Sequence, residues 1–172
     1  MSAIITRRLR AVALGLSVCA ALGLGACSKD SDLADASAYG ANGAGGASTP
    51  GSAQDFVVNV GDRVFFESDS TDLTPTATAT LDKQATWLQR YPRYTFIVEG
   101  HADERGTREY NFSLGARRAQ SVFDYLTTRG IAAGRMRTVS YGKERPVAVC
   151  NDISCWSQNR RAVIVLDRGA GA

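Results

Sequence analysis

The stretch Gly100 to Ala119, GHADERGTREYNFSLGARRA, brings a histidine, carboxylates and arginines into twenty residues. His101 is the only histidine of the chain, and Asp103 and Glu104 follow it closely. General acid–base catalysis needs a positioned proton donor and acceptor, and these three residues supply the types. A catalytic zinc takes three protein ligands, commonly with two or three histidines, so one histidine beside two carboxylates does not meet that pattern. Hydrolysis of a glycan needs two carboxyl groups flanking the scissile bond. Glu67, Asp69, Asp103 and Glu104 are the candidates for it if the fold makes them converge. No G-x-S-x-G, H-E-x-x-H or P-loop sequence is present. Nothing in the residues asks for a metal or a cofactor, and no catalytic residue is assigned.

Recognition of charge is the other chemistry these residues allow. At 100° per residue, Leu114, Ala119, Val122 and Leu126 form a stripe about 140° wide that should face a core. Asn111 and Arg118 lie inside that stripe, whereas Arg117 points away from it. An arginine on an apolar face needs a partner, because an unpaired buried charge is costly. Asp103 is the candidate. One reading is a structural Arg118–Asp103 ion pair. The other is a pocket in which both engage a ligand bearing a carboxylate and an ammonium, since the planar guanidinium fork suits the first group and an aspartate the second.

These side chains need elements to hold them. Tyr94 to Glu99 alternates, with Tyr94, Phe96 and Val98 on one face, and predicts a strand. A helix is predicted from Asn111 as N-cap to Arg129, with Gly130 as the glycine beyond its end. Residues 100–110 then form a loop between a strand end and a helix start, a favoured place for a binding site. Upstream, Phe56 to Phe66 predicts two short extended pieces broken near Gly61 and Asp62, and Glu67 to Asp72 an acidic loop. Thr74 as cap and Pro75 at the first position predict a helix to about Tyr91, with Ala77, Leu81, Trp87 and Leu88 inward and Pro92 as its stop. Strands are predicted at Arg135 to Tyr141 and Arg161 to Asp167. The order β-α-β-α-β-β predicts an α+β fold, a mixed sheet with helices packed on one face.

GHADERGTREYN with LGARRA, preceded by VFFESDSTDL (64–73) and followed by SYGKERP (140–146) and NRRAV (159–163), resembles the OmpA-like peptidoglycan-binding domain family over residues 55–168. The resemblance implies a non-enzymatic module whose ligand is peptidoglycan, at the meso-diaminopimelate residue of its stem peptide. That side chain ends in a carboxylate and an ammonium on one carbon, the pair already suggested by Arg118 and Asp103. It implies Asp103 for the ammonium and Arg118 for the carboxylate. Asn111, Leu114 and the loop Phe66, Glu67, Ser68 and Asp69 would be walls, His101 a wall or loop-ordering residue, and Asn159 and Arg160 the edge. The family's usual Phe-Asp-x-Asp is here Phe66-Glu67-Ser68-Asp69, which moves one carboxylate outward by a methylene. The implied partners are TolB and the other Tol proteins, and the implied role is to hold the outer membrane to the wall, especially at division. The alternatives are an envelope interaction protein whose main partner is another protein, and a peptidoglycan hydrolase.

The ends of the chain agree with export. Arg7, Arg8 and Arg10 precede the uncharged apolar run Ala11 to Leu24, the pattern of a signal peptide over residues 1–26. Leu24-Gly25-Ala26-Cys27 resembles a bacterial lipobox, which implies lipidation of Cys27. Ser28 at the second mature position, not aspartate, implies the outer membrane by the family's sorting rule. The whole chain has 20 Lys and Arg against 17 Asp and Glu; removing a segment with three arginines and no acids leaves 17 against 17. The mature chain therefore has no charge excess that calls for nucleic acid or an anionic surface. Residues 28–54 are rich in Gly, Ala and Ser and predict a flexible tether, averaging roughly 30 Å end to end and stretching to roughly 90 Å. Residues 169–172 are a short tail. Once Cys27 is lipidated, Cys150 and Cys155 are the thiols left in an exported protein, and a disulfide is the default there. Replacement of Cys27 by Ala should yield an unprocessed or membrane-released chain. Mass spectrometry of the parent should find a mature N-terminus at Cys27 carrying acyl chains, which together give durable attachment.

Overall fold

The structure, a computed structural model, describes residues 48–167. The signal peptide, Cys27, residues 28–47 of the tether and the C-terminal tail lie outside them. Ser52 opens helix α1, Ala53–Asp55, by accepting a hydrogen bond from the Asp55 N–H, and the chain continues as a π-helical turn, Phe56–Val60. Strand β1 is Arg63–Phe65, helix α2 Pro75–Arg90, and strand β2 Thr95–His101. Helix α3 is Arg108–Thr128, strand β3 Met136–Gly142, helix α4 Ile153–Asn159, and strand β4 Arg161–Asp167. The four strands lie in the order β1-β4-β2-β3. Strand β4 runs antiparallel to both its neighbours, and β2 runs parallel to β3 across the α3 connection.

The α+β class, the four strands and the two long helices are as the sequence predicts. Thr74 caps α2 through its hydroxyl, Pro75 sits in its first turn, and Ala77, Leu81, Trp87 and Leu88 are buried. They join Phe96, Val98, Val122, Leu126 and Ile164 in one core between the helices and the sheet.

Three expectations are corrected. Phe56 to Val60 is helical, not extended. Phe56 is fully buried with its ring 4.9 Å from Trp87, while Val57 and Val58 are exposed, so a helical and not an alternating period is in force. The Asp55 carboxylate fixes this segment by accepting from Trp87 Nε1 at 2.8 Å and from the Gly51 N–H at 2.8 Å. For the same reason the tether does not run to Gln54: Gly51 is buried, and its carbonyl accepts from Tyr94 and Arg93. The last two strands are not consecutive, because α4 intervenes, with Asp152 capping it and Cys150 joined to Cys155 across a Cα separation of 5.7 Å.

The contact that sets the site's height is between Gly100 on β2 and Gly115 on α3. A Cβ on Gly100 would stand 1.8 Å from the Gly115 carbonyl oxygen, and one on Gly115 would stand 2.5 Å from Ser140 Oγ. Helix and strand therefore touch backbone to backbone, and Ser140 Oγ donates to the Phe112 carbonyl at 2.6 Å beside them. Substitution of Gly100 by Ala should cost about 3 kcal/mol or more, because backbone cannot yield as a side chain does. Gly134→Ala, where the added methyl meets nothing within 4 Å, should leave stability nearly unchanged. Urea unfolding of the two variants checks the difference.

Candidate functional site

Helix α3 is capped four residues earlier than the sequence suggests. Thr107 is its cap, with Oγ1 accepting from the Tyr110 N–H, and the loop after β2 is only Ala102 to Thr107. Asn111 is not the cap. It is buried in the first turn and donates from Nδ2 to the Arg105 carbonyl at 2.6 Å, so it holds the loop from below. Lys143 holds the same loop from the side, donating to the carbonyls of Glu104 and Gly106.

Arg118 is fully buried in the apolar stripe, as its position predicts, but it does not pair with Asp103. Its Nε donates to the Ser70 carbonyl at 2.9 Å, Nη1 to that of His101 at 2.9 Å, and Nη2 to that of Glu67 at 3.1 Å. The guanidinium lies 5.2 Å from the centre of the Phe66 ring. Burial, then repulsion from Arg160, lower its pKa to about 10, with Asp103 and Asp69 acting in the opposite sense. Arg118 thus remains a cation at neutral pH and fastens the loop after β1 to the end of β2.

The partners of Asp103 are Arg105 and Arg160. Its Oδ1 accepts from Arg105 Nε at 3.1 Å and from the Arg105 N–H at 3.2 Å; its Oδ2 accepts from Arg105 Nη2 at 2.6 Å and from Arg160 Nη1 at 3.4 Å. Burial pushes the Asp103 carboxyl up, but the bonds and charge of Arg105, with the bond from Arg160, hold it below its usual range. Arg160 is itself buried, and its Nε donates to the Phe66 carbonyl at 3.0 Å.

Above Asp103 lies an open cleft of about 260 Å³, lined by Ser68, Asp69, Asp103, Arg105, Gly106, Tyr110, Asn111 and Leu114. Asp69 stands on the rim in a left-handed conformation, φ 55°, which an aspartate tolerates at a turn, and accepts from the Tyr110 hydroxyl. Of the residues singled out from sequence, Ser68, Asp69, Asp103, Asn111 and Leu114 line this cleft. Phe66, Arg118 and Arg160 lie behind it, and Glu67 offers its carbonyl to Arg118 while its side chain is exposed. Asn159 is elsewhere: it is buried and holds the backbone of Val147 and Ala148. His101 faces the other side of the sheet, beside Tyr141. Arg105, Gly106 and Tyr110 were not anticipated. Tyr110 would have been found had the helix been started at its Thr107 cap.

The four carboxylates considered for hydrolysis do not converge. Asp69 and Asp103 share the cleft, but Glu104 accepts from Trp156 Nε1. A glycosidase acid needs a raised pKa, and that of Asp103 is lowered. Among the described residues no group of three or more His, Cys, Asp and Glu side chains is arranged to hold a metal ion.

Comparison with known proteins decides the kinship. The pattern of the OmpA family matches residues 65–160, more than half of the chain. The chain belongs to the OmpA family. Within it, the chain groups with proteins named peptidoglycan-associated lipoprotein. That of Rhizobium meliloti is 62% identical over 151 residues, covering 88% of this chain and 85% of that protein. That of Mesorhizobium japonicum is 57% identical over 157 residues, covering 91% of this chain and 92% of the other. The crystal structure of the peptidoglycan-associated lipoprotein from Burkholderia pseudomallei superposes with a TM-score of 0.60 at 40% identity, covering 62% of this chain and 90% of that one. The C-terminal domain of Helicobacter pylori MotB shares the fold, with a TM-score of 0.59 at 24% identity, covering 63% of this chain and 86% of that one. The matched residues of this OmpA-family domain include both rims of the cleft.

His101 supplies a test of the frame around the site. Its Nε2 is 3.5 Å from Glu99 Oε2, and neither ring nitrogen makes a hydrogen bond. Burial lowers its pKa most, with Arg161 and Arg145 adding to the effect and Glu99 opposing it. A histidine whose folded pKa lies below the unfolded value of about 6.5 contributes stability that is complete above that value. This stability is lost as pH falls from about 6.5 toward the folded pKa. Denaturant unfolding between pH 7 and 5.5 should therefore show stability falling with pH, and His101→Gln should flatten that slope.

Proposed function

We propose that the domain is a non-enzymatic binding module for the meso-diaminopimelate residue of the peptidoglycan stem peptide. The observation that carries this reading is the Asp103 carboxylate, held ionised and largely buried at the base of an open cleft. An ionised carboxylate in such a setting is matched by a cation, and the diaminopimelate side chain brings one together with its own carboxylate. Asp103 takes the ammonium. The carboxylate is assigned to Arg118, whose planar fork suits that group and whose guanidinium stands buried behind the cleft on three backbone carbonyls. Leu114 and Asn111 form the wall on the helix side, and Ser68 and Asp69 the opposite one. The names of the relatives, peptidoglycan-associated lipoproteins, support the same ligand.

Acyl chains on Cys27 would fix one end of the chain in the outer membrane, with the domain facing the periplasm. The segment after Cys27 would act as a leash between that membrane and the wall. Lipid is the attachment we assign, on the lipobox-like Leu24-Gly25-Ala26-Cys27; no helix among the described residues is long and apolar enough to cross a membrane. TolB and the other Tol proteins are the partners we assign, with a role in keeping the envelope intact and drawing in the outer membrane at division.

Co-sedimentation with purified peptidoglycan tests the site, with circular dichroism as the control for folding. Asp103→Ala and Arg118→Ala should each lose at least about tenfold in binding, or 1.4 kcal/mol. Arg118→Lys should fail as well, because an ammonium cannot reproduce the planar fork. Gln120→Ala, exposed on α3, should bind like the parent. Normal binding by folded Asp103→Ala overturns the assignment.

A further inference from the structure

Two guanidinium groups touch Asp103, and they are built differently. Arg160 is fixed: its side chain is 6% exposed, and it is also bonded to the Phe66 carbonyl. The Arg105 side chain is 43% exposed and approaches from the open side of the cleft, of which it is itself a wall. It nevertheless makes the tighter contact, a two-pronged one to both carboxylate oxygens at 3.1 and 2.6 Å. Its Nη2 also donates to Ser68 Oγ at 2.9 Å, a residue 37 positions away on the other rim. One half-exposed side chain therefore spans the cleft and occupies the group at its base.

While it grips Asp103, Arg105 also rests on a second group. Its guanidinium lies 4.2 Å from the centre of the Trp156 ring, and Trp156 is oriented by donating its indole N–H to Glu104. A cation over an indole face is stabilised by the ring quadrupole. Rotation of the Arg105 side chain off Asp103 can keep that contact. The backbone beneath it stays put, held by Asn111 and Lys143 through the carbonyls of Arg105, Glu104 and Gly106. Asp103 would not be left uncompensated, since Arg160 remains on it.

We propose that Arg105 is a built-in competitor for the cation of the ligand: its guanidinium closes the Asp103 end of the cleft in the free domain and swings off Asp103, pivoting on its contact with Trp156, when a ligand ammonium replaces it. This rests on the reading that the cleft takes an ammonium at Asp103. The free domain is then a mixture of closed and open forms. The apparent dissociation constant exceeds that of the open site by the reciprocal of the open fraction. Arg105 also selects: a ligand group without positive charge has nothing to offer Asp103 in exchange, so uncharged or anionic wall fragments leave the cleft closed. Attachment to the wall is made weaker and more readily reversed than the bare site would allow.

The test is calorimetric titration of a soluble disaccharide-tripeptide with a free diaminopimelate end into the full-length lipoprotein in detergent micelles. Arg105→Ala and Arg105→Gln should bind it at least about threefold more tightly than the parent, because the closed form is gone. Arg105→Lys should fall between, since an ammonium cannot grip both oxygens. Ligand addition should change tryptophan emission in the parent, and Arg105→Ala and Trp156→Phe should each abolish that change, a signature that a purely structural arginine would not produce. Weaker or unchanged binding by a folded Arg105→Ala overturns the proposal, the first by making Arg105 a ligand contact and the second by making it a bystander. Asp103→Ala in the same titration separates the two layers. If it binds like the parent, the reading of the cleft fails. If it loses binding while Arg105→Ala gains none, the competitor alone fails.

Discussion

A guanidinium sealed from water must be surrounded by acceptors, and this requirement on Arg118 organises the end of the sheet where the cleft lies. No carboxylate is spare for it, because Asp103 is already engaged by Arg105 and Arg160. Arg118 finds its acceptors in three backbone carbonyls, two from the loop after β1 and one from the end of β2. Carbonyls placed around a cation can come only from chain that curls toward it. The path of residues 67–70, and with it the positions of Ser68 and Asp69 on the rim, follows from where Arg118 sits on α3. Its place on α3 depends in turn on the Gly100–Gly115 approach, which brings the helix down onto β2.

The same end of the domain carries more buried positive than negative charge. Arg118, Arg160 and Arg161 are all buried, and Asp103 and Asp62 are the buried acids among the described residues. Arg160 lowers the pKa of Arg118 by repulsion, as Arg63 does that of Arg161, each after the larger effect of burial. Carbonyl dipoles stabilise these cations without neutralising them, so the region keeps a positive field. Asp103 is the local exception, and the bonds and charge of Arg105, with the bond from Arg160, keep it ionised.

Some of this was legible beforehand. The stripe of Leu114, Val122 and Leu126 placed Arg118 and Asn111 indoors, and both are buried. Thr74-Pro75 started α2 where it starts, because cap and first-turn preferences are local and need no partner. Phe56 to Val60 misled, since Val57, Val58 and Val60 have the β-branched character of a strand. What makes the segment helical is the fit of Phe56 against Trp87 and the reach of Asp55 to the indole N–H, contacts made across about thirty residues of chain. Asn111 misled in the opposite way: it is a good cap by type, but its side chain is turned to the Arg105 carbonyl, and Thr107 caps instead.

The sequence by itself determined the α+β class, the inward direction of Arg118, the presence of a charged loop between a strand end and a helix start, and kinship with the OmpA-like domains. These rest on periodicity, local caps and motif order, all of which are short-range or collinear properties of the chain. Only the tertiary structure decided which charges meet. The loop ahead of α3 offers Asp103 as a partner for Arg118, yet ion pairing depends on directions and distances of a few ångströms that no spacing encodes. Folding gave Asp103 to Arg105 and Arg160, gave Arg118 to carbonyls 17 to 51 residues away, and set Trp156 against Arg105. Apart from Asp103–Arg105, two residues apart in one loop, each of these pairings joins separate elements of the fold, and it exists only once the sheet order has brought β1, β2 and β4 side by side.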